Sequence, residues 1–127
     1  KKIKSGYKRG YFNSSKFDKK FYYRSSYEKK FLELCEINEK ITSLTEVSFF
    51  IKYLDGKQTR RYIPDFLVNN KLILEIKSDY NLTQEITKKK IVAGRKYCEE
   101  NNMIFFIMSN VQEQFESLIE ELDDIQP

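Results

Sequence analysis

The sequence predicts an α/β fold, a central mixed sheet flanked by helices, with elements in the order α-β-β-β-α-β-α. Three observations predict it. Strand-like EVSFFIKYL and QTRRYIPDFLV flank Asp55-Gly56 and Lys57, and Asp-Gly between such runs signals a hairpin. Segments of helical period, SSYEKKFLELCEIN and LTQEITKKKIVAGRKYCEENN, lie on either side of the strand-like stretch. Before the last helix comes MIFFIM, short and wholly apolar, the kind of strand that is buried on both faces.

Residues 1–24 read as a basic, aromatic arm ahead of one domain over 25–127. In KKIKSGYKRGYFNSSKFDKKFYYR, lysines and arginines are interleaved with Tyr7, Tyr11, Phe12, Phe17, Phe21, Tyr22 and Tyr23. Such lysines can meet phosphates while the rings stack on bases or pack onto the body. A small hairpin around NSSK with most rings inward is the expected arrangement. The first helix has Ser25 as its N-cap and Phe31, Leu32 and Cys35 on one face.

In the first hairpin, a two-residue Asp55-Gly56 loop places Val47 opposite Pro64 and Phe49 opposite Tyr62. Val47, Phe49, Ile51 and Tyr53 then share a face with Tyr62, Pro64 and Phe66, leaving Phe50, Lys52, Arg61, Ile63 and Asp65 on the other. KLILEIK follows a turn at Asn69-Asn70, where two loops compete. A two-residue loop puts Asp65 opposite Leu74, among apolar partners. A three-residue loop, Asn69-Asn70-Lys71 with Asn in the left-handed conformation, puts Asp65 opposite Glu75 and gathers Phe66, Val68, Leu72, Leu74 and Ile76 on the other face. The second register is expected. The next helix is expected to be capped at Thr83. The last, NVQEQFESLIEELDD, is acidic and amphipathic, with Asn110 and Glu113 as a capping-box pair.

The 127 residues are 40% hydrophobic and 33% charged, as in a soluble globular domain. No apolar stretch approaches the roughly 18 residues that cross a bilayer. The chain begins at Lys1 rather than methionine, as a piece of a longer protein would. Cys35 and Cys98 lie among apolar residues and read as free, buried thiols in a reducing compartment. Histidine is absent, which removes Ser-His-Asp hydrolysis, Cys-His nucleophiles and His-ligated zinc. Any catalysis must rest on carboxylates and lysines, with or without a hard metal ion. The net charge of +4 is uneven: residues 1–30 hold eleven Lys and Arg against two acids, and residues 111–127 hold six acids and no Lys or Arg. A basic end suggests a polyanion partner, nucleic acid first; a solvated charged arm is the plainer reading.

Three charges interrupt the apolar YIPDFLVNNKLILEIK: Asp65, Glu75 and Lys77. Burying an unpaired charge costs roughly several kcal/mol, so their presence asks for a reason. Glu75 and Lys77 are two apart on one strand and point the same way. With Asp65 they form a cluster in which two carboxylates repel unless a proton, a cation or an ammonium neutralises them. A buried triad bridged by Lys77 is the structural alternative. Glu28 lies three, four and seven residues before Phe31, Leu32 and Cys35 and so joins the buried stripe, with a Ser25–Glu28 capping box as the alternative. Lys90 shares a face with Ile86, Ala93, Gly94 and Tyr97, and either reaches the cluster or snorkels to solvent.

This pattern resembles the PD-(D/E)XK nuclease superfamily, through Glu28 in SSYEKKFLELCE, the pair Pro64-Asp65, and Glu75-Ile76-Lys77 as E-x-K. The YRSSYE…YIPDF…EIK combination further resembles phage homing-type endonucleases, homing enzymes related to very-short-patch repair nucleases, and the endonuclease subunit of Tn7-like transposases. The histidine usual in the very-short-patch branch is missing here. The resemblance implies a restriction-endonuclease-like α-β-β-β-α-β core and hydrolysis of phosphodiester bonds in double-stranded DNA with Mg²⁺ (or Mn²⁺). It implies Glu28, Asp65, Glu75 and Lys77 as catalytic residues, to which the helix face of Lys90 adds a fifth candidate, and Asp65, Glu75, Glu28 and the Ile76 carbonyl as metal ligands, oxygen donors of the kind a hard cation takes. Lys77 would orient or help deprotonate the attacking water.

The expected DNA contacts are Lys8, Arg9, Lys19, Lys20, Arg24, Arg60 and Arg61, made to phosphates and carrying little sequence information. Cutting both strands calls for two copies, so a homodimer is expected, with DNA-reading modules outside this chain and no membrane partner. The expected setting is the cytoplasm of a bacterial or phage-infected cell, at the nucleoid. A homing or mobile-element enzyme leads. A restriction or repair nuclease, and a non-catalytic nucleic-acid-binding module keeping the fold, are the alternatives.

Overall fold

The computed structural model describes residues 9–124. In chain order these form β1 (Gly10–Ser14), β2 (Lys19–Tyr23), α1 (Ser26–Ile37), β3 (Leu44–Glu46), β4 (Ile51–Asp55), β5 (Gln58–Tyr62), β6 (Phe66–Val68), β7 (Leu72–Ile76), α2 (Asp79–Leu82), α3 (Glu85–Glu100), β8 (Ile104–Met108) and α4 (Val111–Asp124). β3, β6, β7 and β8 make one sheet in that order, parallel between β7 and β8 and antiparallel elsewhere. The mixed sheet between helices is the α/β architecture the sequence predicts, compatible with a restriction-endonuclease-like core.

Alternation along β7 explains the layers. Leu72, Leu74 and Ile76 join Phe31, Leu32 and Cys35 of α1 and Phe115, Leu118 and Leu122 of α4 in the main core. Ile73 points the other way, into a smaller core with Ile51 of β4 and Ala93, Tyr97 and Cys98 of α3. Both cysteines are free and buried, in different cores. No helix among the described residues is long and apolar enough to cross a membrane.

The second hairpin has the expected register, Phe66 opposite Leu74 and Val68 opposite Leu72, around the loop Asn69-Asn70-Lys71. Asn69 and Asn70 both take positive φ, 51° and 57°, a region that asparagine tolerates better than most residues. Asn69 also staples the loop to the start of β3. Its Oδ1 accepts from Thr42 N–H (2.7 Å) and Ser43 N–H (3.1 Å), and its Nδ2 donates to the Lys40 carbonyl (2.9 Å).

The first hairpin departs from expectation. Each of its two long strand-like runs is broken in the middle, so β4–β5 stands as a separate ribbon. Pro64 lacks an N–H and cannot continue a ladder, and pairing stops across Ile63-Pro64-Asp65. Ile51 pairs with Tyr62 and Asp55 with Gln58, two residues off the expected register, because the loop is Gly56-Lys57 with Gly56 at φ 66°. A shift of two keeps the alternation within the ribbon, but the break at Pro64 splits the expected face: Phe49, Ile51 and Tyr62 line the smaller core while Phe66 joins the main one.

Three smaller corrections follow, while the arm takes the hairpin that the sequence predicts. An extra turn, α2, capped by Ser78 Oγ, absorbs Thr83 as its C-cap, so α3 starts from Gln84 without a side-chain cap. Asn110 Oδ1 caps α4 by accepting from Glu113 N–H (3.1 Å), but the Ser109 and Asn110 N–H groups donate to Gln114 Oε1 and not to Glu113. β8 is an edge strand with only Met108 fully buried, while β7 is the strand buried on both faces. The arm folds back as β1–β2, with Phe21 and Tyr23 in the main core and Tyr11 62% exposed. Tyr7 and Lys8 lie outside the described residues.

Candidate active site

β7, the Pro64 break and the first turn of α1 bring four ionisable groups together. Glu75 lies in β7 and is 3% exposed. Lys77 follows the strand; its N–H donates to the Met108 carbonyl (3.0 Å) and its Nζ stands 3.9 Å from Glu75 Oε1. Because the ladder ends at Phe66, Asp65 is not paired across from Glu75 as expected. Its Oδ2 instead accepts the Ile76 N–H at 2.7 Å, which still sets the carboxyl beside β7. Glu28 accepts the Arg24 N–H through Oε1 (2.7 Å), one residue before the capping-box position, while its own N–H donates to Ser25 Oγ (3.2 Å). It therefore caps the helix and also feels the charges of Asp65 and Lys77.

Burial dominates the electrostatics. It pushes the Glu75 carboxyl up to about 8, helped by the Asp65 charge and opposed by Lys77 and Lys90. Burial likewise raises Asp65, against the Ile76 hydrogen bond and the cations Lys77, Arg24 and Lys90. Glu28 is raised too, by burial first. A 3.9 Å approach is too long for a hydrogen bond, so the tight triad of the structural alternative is not formed. Glu75 Oε2 is buried without a hydrogen-bond partner among the described residues.

Lys90 takes neither expected place fully. Half-buried, its Nζ lies 5.9 Å from the Tyr53 ring centroid and 5.7 Å from that of Tyr62, close enough for its charge to bear on Asp65 and Glu75. Tyr62 is the neighbour that sequence reasoning missed. Its hydroxyl faces the Glu75 carboxylate, but a hydroxyl has one proton, and the Lys90 carbonyl at 3.0 Å receives it. Burial pushes its ionisation far upward, so it stays a donor. Gly94 makes room: a Cβ there would meet Phe105 at 2.4 Å and the Tyr62 hydroxyl at 2.7 Å. A glycine inside a sequence-predicted helix was the available signal.

A family model described as TnsA-like endonuclease N terminal matches residues 26–110. The chain belongs to the TnsA-like endonuclease N-terminal family. None of the curated proteins matches it. The TnsA-like region takes in Glu28, Asp65, Glu75, Lys77 and Lys90, and includes neither β1–β2 nor α4. The Tn7-like side of the resemblance is thus supported, within a nuclease-type family.

Among the described residues no group of three or more His, Cys, Asp or Glu forms a ready-built metal cage. In this TnsA-like domain the hard oxygen donors of Asp65 and Glu75 nevertheless fit a divalent cation, because Glu75 Oε2 is buried with no proton donor to satisfy it. The basic residues named from sequence are spread over two ribbons. Lys19, Lys20 and Arg24 lie over the rings of Phe21, Tyr11 and Tyr22. Arg60 is held by Asp55 (2.8 Å), which also binds Lys89 (3.0 Å), and Arg61 covers Phe50 at 4.4 Å. Arg9 is exposed ahead of β1.

Proposed function

We propose that this TnsA-like domain is the catalytic unit of a metal-dependent DNA endonuclease of a mobile element, hydrolysing phosphodiester bonds in double-stranded DNA. The observation that carries the reading is the buried Glu75 carboxyl, its Oε2 unsatisfied, beside half-buried Asp65 and with Glu28 at the edge. Asp65, Glu75 and the Ile76 carbonyl, with Glu28, are the donors for Mg²⁺ (or Mn²⁺). When bound, such an ion lowers the pKa of a coordinated water and offsets charge on the phosphate.

The chain's own groups do the rest. Ile76 N–H pins one oxygen of Asp65, which orients the other. Lys77, loosely paired, is available to neutralise the phosphate under attack and to orient the water. Lys90, held between two rings, adds positive charge from the α3 side. A non-catalytic module would have Lys77 locked to both carboxylates, and the 3.9 Å separation disfavours that. A homing, restriction or repair enzyme would share this chemistry and differ in its DNA-reading modules, which lie outside this chain in the proposal. Two copies would cut both strands, at the nucleoid.

The test is a variant series on labelled duplex DNA, with cleavage and binding measured separately. Asp65→Asn and Glu75→Gln are expected to lose about 10³-fold or more in cleavage and to keep duplex affinity. Wild-type cleavage that survives EDTA, or variants that cut normally, would defeat the proposal.

A further inference from the structure

The outward face of β1–β2 carries a row of two rings flanked by cations. Lys20 Nζ lies 4.8 Å from the Tyr11 ring centroid, the Tyr11 and Tyr22 rings are 5.1 Å apart at 52°, and Arg24 Cζ lies 5.2 Å from the Tyr22 ring. Pairing explains the row: Tyr11 is opposite Tyr22 and Asn13 opposite Lys20, so these share the face away from Phe21 and Tyr23. The row ends at Arg24, whose N–H binds Glu28 and whose charge reaches Asp65.

The ribbon is fastened to α1, the helix that carries Glu28. Ser14 Oγ donates to Glu36 Oε1 (2.7 Å), Lys16 N–H donates to Glu36 Oε2 (2.9 Å), and Lys16 Nζ donates to the Cys35 carbonyl (2.9 Å) and the Asn38 carbonyl (2.5 Å). Phe21 sits in the main core beneath. The cations are therefore presented on a rigid platform in fixed relation to the catalytic cluster.

We propose that this Lys20–Tyr11–Tyr22–Arg24 face is where the backbone of duplex DNA lies as it enters the catalytic cluster. The inference rests on the nuclease reading and names where that site takes its substrate. Charge complementarity selects the occupant: positive groups in a line ending at buried carboxylates match a phosphate backbone leading to its scissile bond. The rings already have cations over them, so they serve to hold the charges in position, which favours phosphate contact over base stacking.

The experiment measures affinity for a fluorescent duplex by anisotropy across a salt series in EDTA, for Lys20→Gln, Tyr11→Ala and Tyr11→Phe. Lys20→Gln is expected to weaken binding and to flatten the plot of log affinity against log salt by about one unit. Tyr11→Ala is expected to weaken it, with Tyr11→Phe restoring wild-type affinity because the ring is kept. In Mg²⁺, Lys20→Gln and Tyr11→Ala are expected to raise KM while leaving kcat near wild type, and Tyr11→Phe to match wild type in both. Loss of binding in a protein that never cuts would sink the nuclease reading and keep the DNA face. Unchanged duplex affinity and slope in Lys20→Gln and Tyr11→Ala, or losses confined to single-stranded DNA, would overturn the proposal even if cleavage is robust.

Discussion

A carboxyl raised from 4.5 to about 8 makes the folded chain hold a proton that the unfolded chain has lost. Below pH 4.5 both states are protonated and the group is neutral for stability. Between about 4.5 and 8 the unfolded state releases its proton first, so stability falls as pH rises, by an amount on the order of 5 kcal/mol over the whole window. Glu75→Gln is therefore expected to be more stable than wild type at pH 8 and to show a flatter melting-temperature profile across that range, while losing cleavage. A cation must displace the same proton, so apparent Mg²⁺ affinity by calorimetry is expected to climb as pH approaches 8. Gly94→Ala tests the packing over Tyr62. A Cβ at 2.4 Å from Phe105 forces ring movement, and overpacking of this kind typically destabilises by about 1–3 kcal/mol, despite the better helix propensity of alanine. Glu28, Asp65, Glu75 and Lys77 were legible because period-two and helical spacing place apolar neighbours around them. Tyr62 was not: a continuous strand puts it among Val47, Phe49 and Tyr53, and only the turn away at Pro64 lets its hydroxyl face Glu75.

Element-scale order depends on short polar fastenings more than on propensity. Asn69 combines φ 51° with three side-chain hydrogen bonds to residues 40–43. Asn69→Ala is expected to lose about 2 kcal/mol or more by chemical denaturation, and Asn69→Gly to recover the part due to backbone strain. The β6–β7 register could be read from sequence because one slip would bring Asp65 into the apolar face. The β4–β5 register could not, since Asp55-Gly56 and Gly56-Lys57 loops bury the same side chains and differ only in where the glycine falls in the turn. The burial expected for MIFFIM belonged to β7, because apolar composition does not say which strand of a sheet has neighbours on both sides. Thr83 misled for a related reason: capping residues are shared between helices, and α2 was too short to show a period.

At the scale of the molecule, one family of nucleases, a basic ribbon and an acidic pair centred on buried Glu75 form a consistent whole. A cation that binds only the folded state adds about 2.7 kcal/mol at a hundredfold excess over its dissociation constant. Mg²⁺ is thus expected to raise the melting temperature of wild type by several degrees and to leave Asp65→Asn unmoved, a readout independent of catalysis. The charge asymmetry of the sequence marks a basic end, but not that residues 10–23 would be docked on the core as a platform. In the proposed mechanism, Asp65, Glu75 and Lys77 form one metal-dependent hydrolytic site. A supercoiled-plasmid time course, with Mg²⁺ or EDTA, on wild type and Lys77→Ala tests it most directly. Nicked and linear DNA with wild type and Mg²⁺, nothing with EDTA, and at least a hundredfold slower conversion with Lys77→Ala is the predicted result. Equal rates for the two proteins, or cutting that ignores the metal, would contradict it.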